Sequence, residues 1–190
     1  MAFLRRRATW WPVLACLVPA LSRPLAGQEA PTALERQVKA AYLLNFTRYV
    51  EWPAAAFPDS VAPVNLCVVG GEEAMPDAVR RTIEGRRTRG RSVRLLRPDA
   101  PAQAADCHVV FFPAQTPLTD TWLASLRTTS TLTVGEGAEF IRQGGMISFV
   151  ILEQTVRFLI DEGAARAAGL RISSRLLALP ARPADAGVPQ

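Results

Sequence analysis

Residues 144–161, GGMISFVILEQTVRFLID, are the longest apolar passage after the N-terminus and decide the fold. Up to Leu152 both alternating sets of side chains are largely apolar, as in a strand that is covered on both faces. From Thr155 onward, apolar and polar residues alternate, as in a strand with one face in solvent. A single long helix is the rival interpretation, but the density of Phe, Val and Ile favours a β-hairpin.

Ahead of this hairpin, apolar strands alternate with amphipathic helices. The pattern predicts helices at residues 32–49, 75–84, 116–126, 162–168 and 174–179, a brief helix near 140, and strands at 64–69, 93–96, 106–112 and 131–134. Such alternation predicts an α/β fold in a three-layer arrangement. We expect a mixed, mostly parallel sheet with helices on both faces and a C-terminal β-hairpin.

The first helix has the clearest start signal. Thr32 and Glu35 are spaced as a capping box, in which the threonine hydroxyl takes the amide three residues on. The helix ends before Trp52-Pro53. Its charged residues, Lys39 among them, are expected on the solvent side.

The N-terminus predicts export. Three consecutive arginines at residues 5–7 precede the apolar run TWWPVLACLVPAL, which is typical of a secretory signal peptide over residues 1–27. An uncleaved membrane anchor is disfavoured because the run is short and contains prolines. A lipoprotein signal acylated at Cys16 is disfavoured because the apolar region ahead of it is very short. We therefore expect a periplasmic protein with one domain over residues 28–180 and a disordered tail over residues 181–190.

Net charge gives little support for a nucleic-acid partner. The formal charge of the whole chain is +5, but the predicted signal peptide carries four arginines and no acid. The remaining 18 basic residues, 22 minus 4, nearly balance 17 acidic ones. Six arginines between residues 86 and 97 lack interleaved aromatic residues, so they are interpreted as a solvated face, with an acidic protein partner as the second option.

Catalytic and metal-binding motifs are missing from the sequence. It has no G-x-S-x-G, no H-E-x-x-H and a single histidine, His108, which is expected to be structural. Gly70-Gly71 follows a strand, but no phosphate-binding motif continues it. The sequence therefore predicts no enzyme, no metal site and no cofactor.

Two cysteines, Cys67 and Cys107, follow the predicted signal peptide, each on a predicted strand. In an oxidising compartment two such thiols pair more often than they stay free, and a right-handed crossover could place the strands side by side. We expect a disulfide between them. The absence of C-x-x-C disfavours a thiol-exchange enzyme.

Four blocks of the sequence resemble the YfiR family. They are residues 38–53 (VKAAYLLNFTRYVEWP), 66–70 (LCVVG) with the second cysteine strand, 144–149 through 157–160 (GGMISF to RFLI), and 168–177 (AGLRISSRLL). The resemblance covers about residues 34–179. It implies an α/β domain, and it matches Cys67 and Cys107 to the long-range cysteine pair of the family. A second, short-range pair found in some members has no counterpart around residues 140–155.

The resemblance also implies a function. The best-described members are periplasmic repressors that hold an inner-membrane diguanylate cyclase inactive, are relieved by an outer-membrane lipoprotein and tend to form homodimers. We therefore expect a non-enzymatic regulator that binds a membrane diguanylate cyclase or histidine kinase. Candidate contact residues are Arg48, Tyr49, Trp52 and Glu136, although Tyr49 and Trp52 are equally expected to pack under the sheet.

A periplasmic small-molecule-binding module is the alternative function. Its ligand would lie at the strand ends near Gly70, Gly71 and residues 135–137, where α/β sheets usually bind ligands. An exported enzyme would require a cleft at His108 or a carboxylate cluster, which the sequence does not indicate.

Overall fold

A seven-stranded sheet organises the residues described by the computed structural model, which are 31–114, 116 and 120–179. The predicted signal peptide and the predicted tail lie outside these residues. The helices are α1 (Ala33–Tyr49), α2 (Ala74–Ile83), α3 (Asp120–Leu126), α4 (Ala138–Arg142), α5 (Glu162–Ala167) and α6 (Ser174–Leu177). The strands are β1 (Val50–Glu51), β2 (Val64–Val68), β3 (Arg87–Thr88), β4 (Arg91–Leu96), β5 (Val109–Phe111), β6 (Leu132–Glu136), β7 (Ile147–Leu152), β8 (Thr155–Ile160) and β9 (Arg171–Ile172). The start predicted for α3 adjoins residues 117–119, which are outside the described part.

The order of strands in the sheet is β3-β4-β2-β5-β6-β7-β8. The five central strands, β4 to β7 in this order, pair in parallel, and an antiparallel pair closes each end of the sheet. The mixed, mostly parallel sheet expected from the sequence is therefore confirmed, and so is its C-terminal hairpin.

Helices cover both faces of the sheet. On β2, Leu66 and Val68 pack in the core cluster that contains α1 and α2. Cys67 and the following Val69 pack in a second cluster, with residues of α3 and α4. Alternate side chains of one central strand therefore pack into two separate cores, one on each face of the sheet. This confirms the three-layer α/β arrangement.

The hairpin of β7 and β8 forms the aromatic part of the first core. Phe149 and Phe158 are paired across the two strands, and Tyr42 and Phe46 of α1 lie against them with ring centroids 5.3–6.1 Å away. The turn itself uses Glu153 and Gln154, which have φ values of 48° and 58°. Two-residue hairpin turns of this kind usually contain Asn-Gly, so the turn gave no recognisable sequence signal.

The first helix begins as predicted. The amide of Glu35 donates to the Thr32 hydroxyl at 3.1 Å. At the other end of α1, the chain continues into β1, which pairs antiparallel with β9 in a separate two-stranded sheet. This small sheet was not predicted, because two-residue strands carry no periodic pattern. None of the described helices combines the length and the apolar character needed to cross a bilayer.

Candidate functional site

The carboxyl ends of the parallel strands are filled by the protein's own side chains. The Thr116 hydroxyl donates to the carbonyl of Val69 at 2.9 Å and lies 3.2 Å from the place where a Cβ at Gly70 would be. The ring of Phe140 similarly occupies the space beside Gly135, within 2.4 Å of an added Cβ. The space beside Gly70 and Gly135, where the alternative function places a ligand, is therefore occupied, whereas an added Cβ at Gly137 would meet no described atom within 4 Å.

Lys39 lies at this same edge and is buried, with 2% of its side chain exposed. Its Nζ is 2.6 Å from Glu35 Oε1 and 2.7 Å from Glu136 Oε2. The prediction that Lys39 faces solvent is therefore wrong. The reason is long-range: Glu136, at the end of β6, supplies a carboxylate that no local pattern in α1 indicates, and an amine so deeply buried requires such a partner.

The predicted partner-binding residues are in different environments. Arg48 is exposed, whereas Tyr49 and Trp52 are half-buried and pack against the first core. The indole Nε1 of Trp52 donates to the carbonyl of His108 at 3.2 Å. Glu136 is 12% exposed and bound to Lys39. The structure brings Arg48, Tyr49 and Trp52 together at the carboxyl end of α1 and leaves Glu136 at the other end.

His108 ties the amino edge of the sheet together. Its Nδ1 accepts from the amide of Asn65 at 3.1 Å, so its Nε2 carries the proton and donates to the carbonyl of Ala56 at 3.0 Å. Phe57 stacks on the imidazole with 4.3 Å between ring centroids, and the Arg91 guanidinium lies 4.0 Å from the centroid of that phenyl ring. Both ring nitrogens are engaged, as expected of a structural histidine.

Burial lowers the pKa of His108 below its ordinary value of 6.5. The bond to Ala56 and the Asp106 carboxylate raise the pKa, and the Arg91 charge lowers it further, but desolvation is the largest effect. In the neutral ring, Nδ1 accepts a hydrogen bond from the backbone amide of Asn65. Protonation would place a hydrogen on Nδ1, so that two N–H groups would face each other and this hydrogen bond would be lost. The neutral imidazole is therefore the form that fits the fold.

We expect the protein to lose stability as the pH falls below 6.5. The unfolded chain takes up a proton on His108 near pH 6.5, whereas the folded chain does so only at lower pH, so the unfolded state binds more protons between these values. Urea unfolding at a series of pH values measures the effect. His108→Asn is the control, since its Oδ1 can replace Nδ1 as acceptor and does not titrate. His108 is the only histidine in the chain, so an equal loss of stability in the variant between pH 6.5 and 5.5 would contradict the expectation.

A disulfide joins Cys67 to Cys107, whose Cα atoms are 5.9 Å apart. Cys67 belongs to β2, and Cys107 lies just ahead of the neighbouring strand β5. Both residues are buried, with 0% and 3% exposed. The bond therefore links adjacent strands from inside the second core.

A cavity of about 660 Å³ lies at the amino ends of the parallel strands. Four polar residues share one row across the sheet there, because Arg94 pairs with Asn65, and His108 and Thr131 precede the paired Val109 and Leu132. All four line the cavity, together with Ala55, Ala56, Pro58, Ala62, Pro63, Ala105, Asp106, Cys107, Thr129 and Ser130.

Asn65 has an incomplete set of hydrogen bonds in the wall of this cavity. Its Nδ2 donates to the carbonyl of Asp106 at 2.9 Å, but its buried Oδ1 has no partner among the described residues. An unsatisfied buried acceptor typically costs about 1–3 kcal/mol. The sequence analysis does not identify this row; the available signal is a polar residue within one position of the start of each of three buried strands, β2, β5 and β6.

Metal chemistry finds no support in this part of the chain. Within the described ranges, no three His, Cys, Asp or Glu side chains are grouped so that they could hold an ion.

A family model described as YfiR/HmsC-like matches residues 36–181. This range includes all nine described strands, helices α2 to α6 and most of α1. The chain belongs to the YfiR/HmsC-like family. None of the curated proteins matches the sequence.

Solved structures support the fold of this YfiR/HmsC-like chain. A crystal structure of a conserved domain protein from Vibrio cholerae aligns with a TM-score of 0.51 and 11% sequence identity. The alignment covers 74% of this chain and 58% of the Vibrio chain, so the present chain spans less than two thirds of that protein. At this identity the likeness shows a common fold and nothing further.

Proposed function

We propose that the protein is an exported, non-enzymatic regulator that binds the periplasmic part of an inner-membrane signalling protein and restrains it. The target would be a diguanylate cyclase or a histidine kinase. Membership of the YfiR/HmsC-like family over residues 36–181 is the observation that carries the proposal. Release by an outer-membrane lipoprotein and formation of a homodimer belong to the same proposal.

The chemistry of the described residues supports a binding role. At the carboxyl edge of the sheet, where an α/β enzyme usually holds its substrate, Thr116 and Phe140 occupy the space beside Gly70 and Gly135. The Lys39 amine and the Glu136 carboxylate at that edge neutralise each other. Both ring nitrogens of His108 are occupied. These groups hold the fold, and none is left free to act as an acid or base.

Arg48 is the exposed member of the predicted contact residues, and we propose it as a partner contact. Its carbonyl accepts from Nε of Arg89 at 3.3 Å, so a second exposed arginine lies beside it. Arg89 is partly neutralised by Glu51 at 3.3 Å. The exposed side chain of Arg48 suits an acidic surface on the partner.

Recovery of a membrane partner tests the proposal. The tagged protein is incubated with detergent-solubilised inner membranes, and the bound proteins are identified while cyclic-di-GMP is measured in a deletion strain. We expect a cyclase or kinase to be retained, and cyclic-di-GMP to rise on deletion if the partner is a cyclase. Arg48→Glu should weaken retention at least tenfold, whereas Arg166→Glu on α5 should not. Recovery of no membrane sensor, with unchanged cyclic-di-GMP, would refute the proposal.

The alternative function, a small-molecule-binding module, is supported by a different observation. A cavity is present, but it is at the amino edge of the sheet and not beside Gly70 or Gly135, where the sequence placed a ligand.

A further inference from the structure

The cavity at the amino edge combines a cation with apolar walls. Arg94 lines it and is exposed, and no described acid is paired with Arg94. Alanine and proline side chains form the apolar part of the remaining wall: Ala55, Ala56, Pro58, Ala62, Pro63 and Ala105. From this combination we infer that the cavity binds a small amphipathic organic anion, a carboxylate attached to an apolar body. This inference does not rest on the proposed protein partner.

Other arginines near Arg94 are already engaged. Arg80, Arg89 and Arg97 pair with carboxylates, and Arg91 donates to the carbonyls of Asp59 and Ala62. Arg94, in contrast, lines the cavity and has neither a carboxylate nor a carbonyl partner among the described residues. A free guanidinium binds a carboxylate through two parallel N–H donors.

The surrounding charge favours an anion at this place. Residues 80–97 contain eight arginines and one glutamate, Glu84, whereas the other described residues contain nine basic and fourteen acidic side chains. Three of these eight arginines pair with acids outside the segment, so eight minus Glu84 and minus three leaves a charge of +4 in the segment that contains Arg94. Such a field raises the local concentration of anions and weakens with added salt.

The lining also restricts the charge and size of the ligand. Asp106 is the one carboxylate in the lining, and it would repel a second negative charge. The Ser130 hydroxyl makes no hydrogen bond with the described residues, so it can donate to the ligand. About 660 Å³ is within the usual range for small-molecule pockets, roughly 300–1,000 Å³. A monoanion with one ring or a short alkyl chain fits these limits.

Benzoate is a suitable probe, with neutral benzamide as its isostere. Titration of the full exported protein is followed by amide chemical shifts in two-dimensional NMR. We expect benzoate to shift the amides of Asn65, Asp106 and Ser130 and to bind at least tenfold more tightly than benzamide. Arg94→Gln should weaken benzoate binding at least tenfold, and raised salt should weaken it in the wild type.

Two further variants separate the site from general electrostatics. Arg157→Gln removes an exposed arginine from β8 and serves as the charge-matched control, so it should leave benzoate affinity within twofold. Ala105→Phe fills the cavity from an exposed position and should abolish the shifts without loss of fold. Equal binding of benzamide, equal losses in both arginine variants, or no localised shifts would overturn the inference. None of these results would affect recovery of a membrane partner, so the two proposals fail separately.

Discussion

Reducing the Cys67–Cys107 disulfide is expected to lower the free energy of unfolding by about 4 kcal/mol. The bond spans 40 residues of sequence, so it removes a large number of conformations from the unfolded chain. Reduction is not expected to stabilise the folded state in compensation, because both cysteines lie in a packed core. A loss of this size is a large fraction of the stability of a typical domain, which is about 5–15 kcal/mol.

Guanidinium unfolding with and without dithiothreitol measures this contribution. The Cys67→Ala/Cys107→Ala double variant should unfold at lower denaturant than the oxidised protein and should not respond to dithiothreitol. The wild type should match the double variant only when it is reduced. A wild-type midpoint that dithiothreitol leaves unchanged, after complete reduction has been verified by thiol titration, would contradict the expectation.

Replacing Lys39 with methionine is expected to destabilise the protein by about 3 kcal/mol. Methionine keeps most of the buried side-chain stem, but it leaves Glu35 and Glu136 facing each other with 21% and 12% of their side chains exposed. Two poorly solvated carboxylates without a cation repel each other and lack donors. Removal of one partner of a buried pair costs more than the pair itself contributes.

An exposed ion pair and a compensating substitution provide the controls for Lys39→Met. Arg166 and Glu162 form an exposed pair on α5, so Arg166→Met should cost less than about 0.5 kcal/mol. Adding Glu136→Gln to Lys39→Met should recover part of the loss, because it removes one uncompensated charge. If Lys39→Met and Arg166→Met cost the same in urea unfolding, the buried pair has no special importance for stability.

Much of the sheet could be predicted from periodicity. Strands β2, β5 and β7 are apolar runs, and β8 alternates, so each has a pattern that belongs to a strand. The helix start at Thr32 was readable because its partner is three residues away. These features depend on neighbours in sequence, which is why the sequence reveals them.

The features that define the two sheet edges depend on residues far apart in sequence. Lys39 and Glu136 are separated by 97 positions, and the bond between the Asn65 amide and His108 spans 43. A charged residue in an amphipathic helix is normally solvated, so the pattern of α1 by itself predicts an exposed Lys39. Likewise, the row formed by Arg94, Asn65, His108 and Thr131 exists only once the order of the strands is known. The hydrophobic pattern indicates which apolar residues are buried, but it does not show which polar residues meet.

Helix α1 is anchored at both of its ends, and this has a mechanical consequence. Near its start, Lys39 is bonded to the end of β6; near its finish, the Thr47 and Thr88 hydroxyls are 2.8 Å apart and the carbonyl of Tyr49 accepts from Ser173. Seventeen helical residues form a stiff rod about 25 Å long. The rod cannot slide along its axis without breaking the attachments at both ends together. A force applied at Arg48 would therefore load the Lys39–Glu136 pair, nine residues or about 14 Å away along the helix.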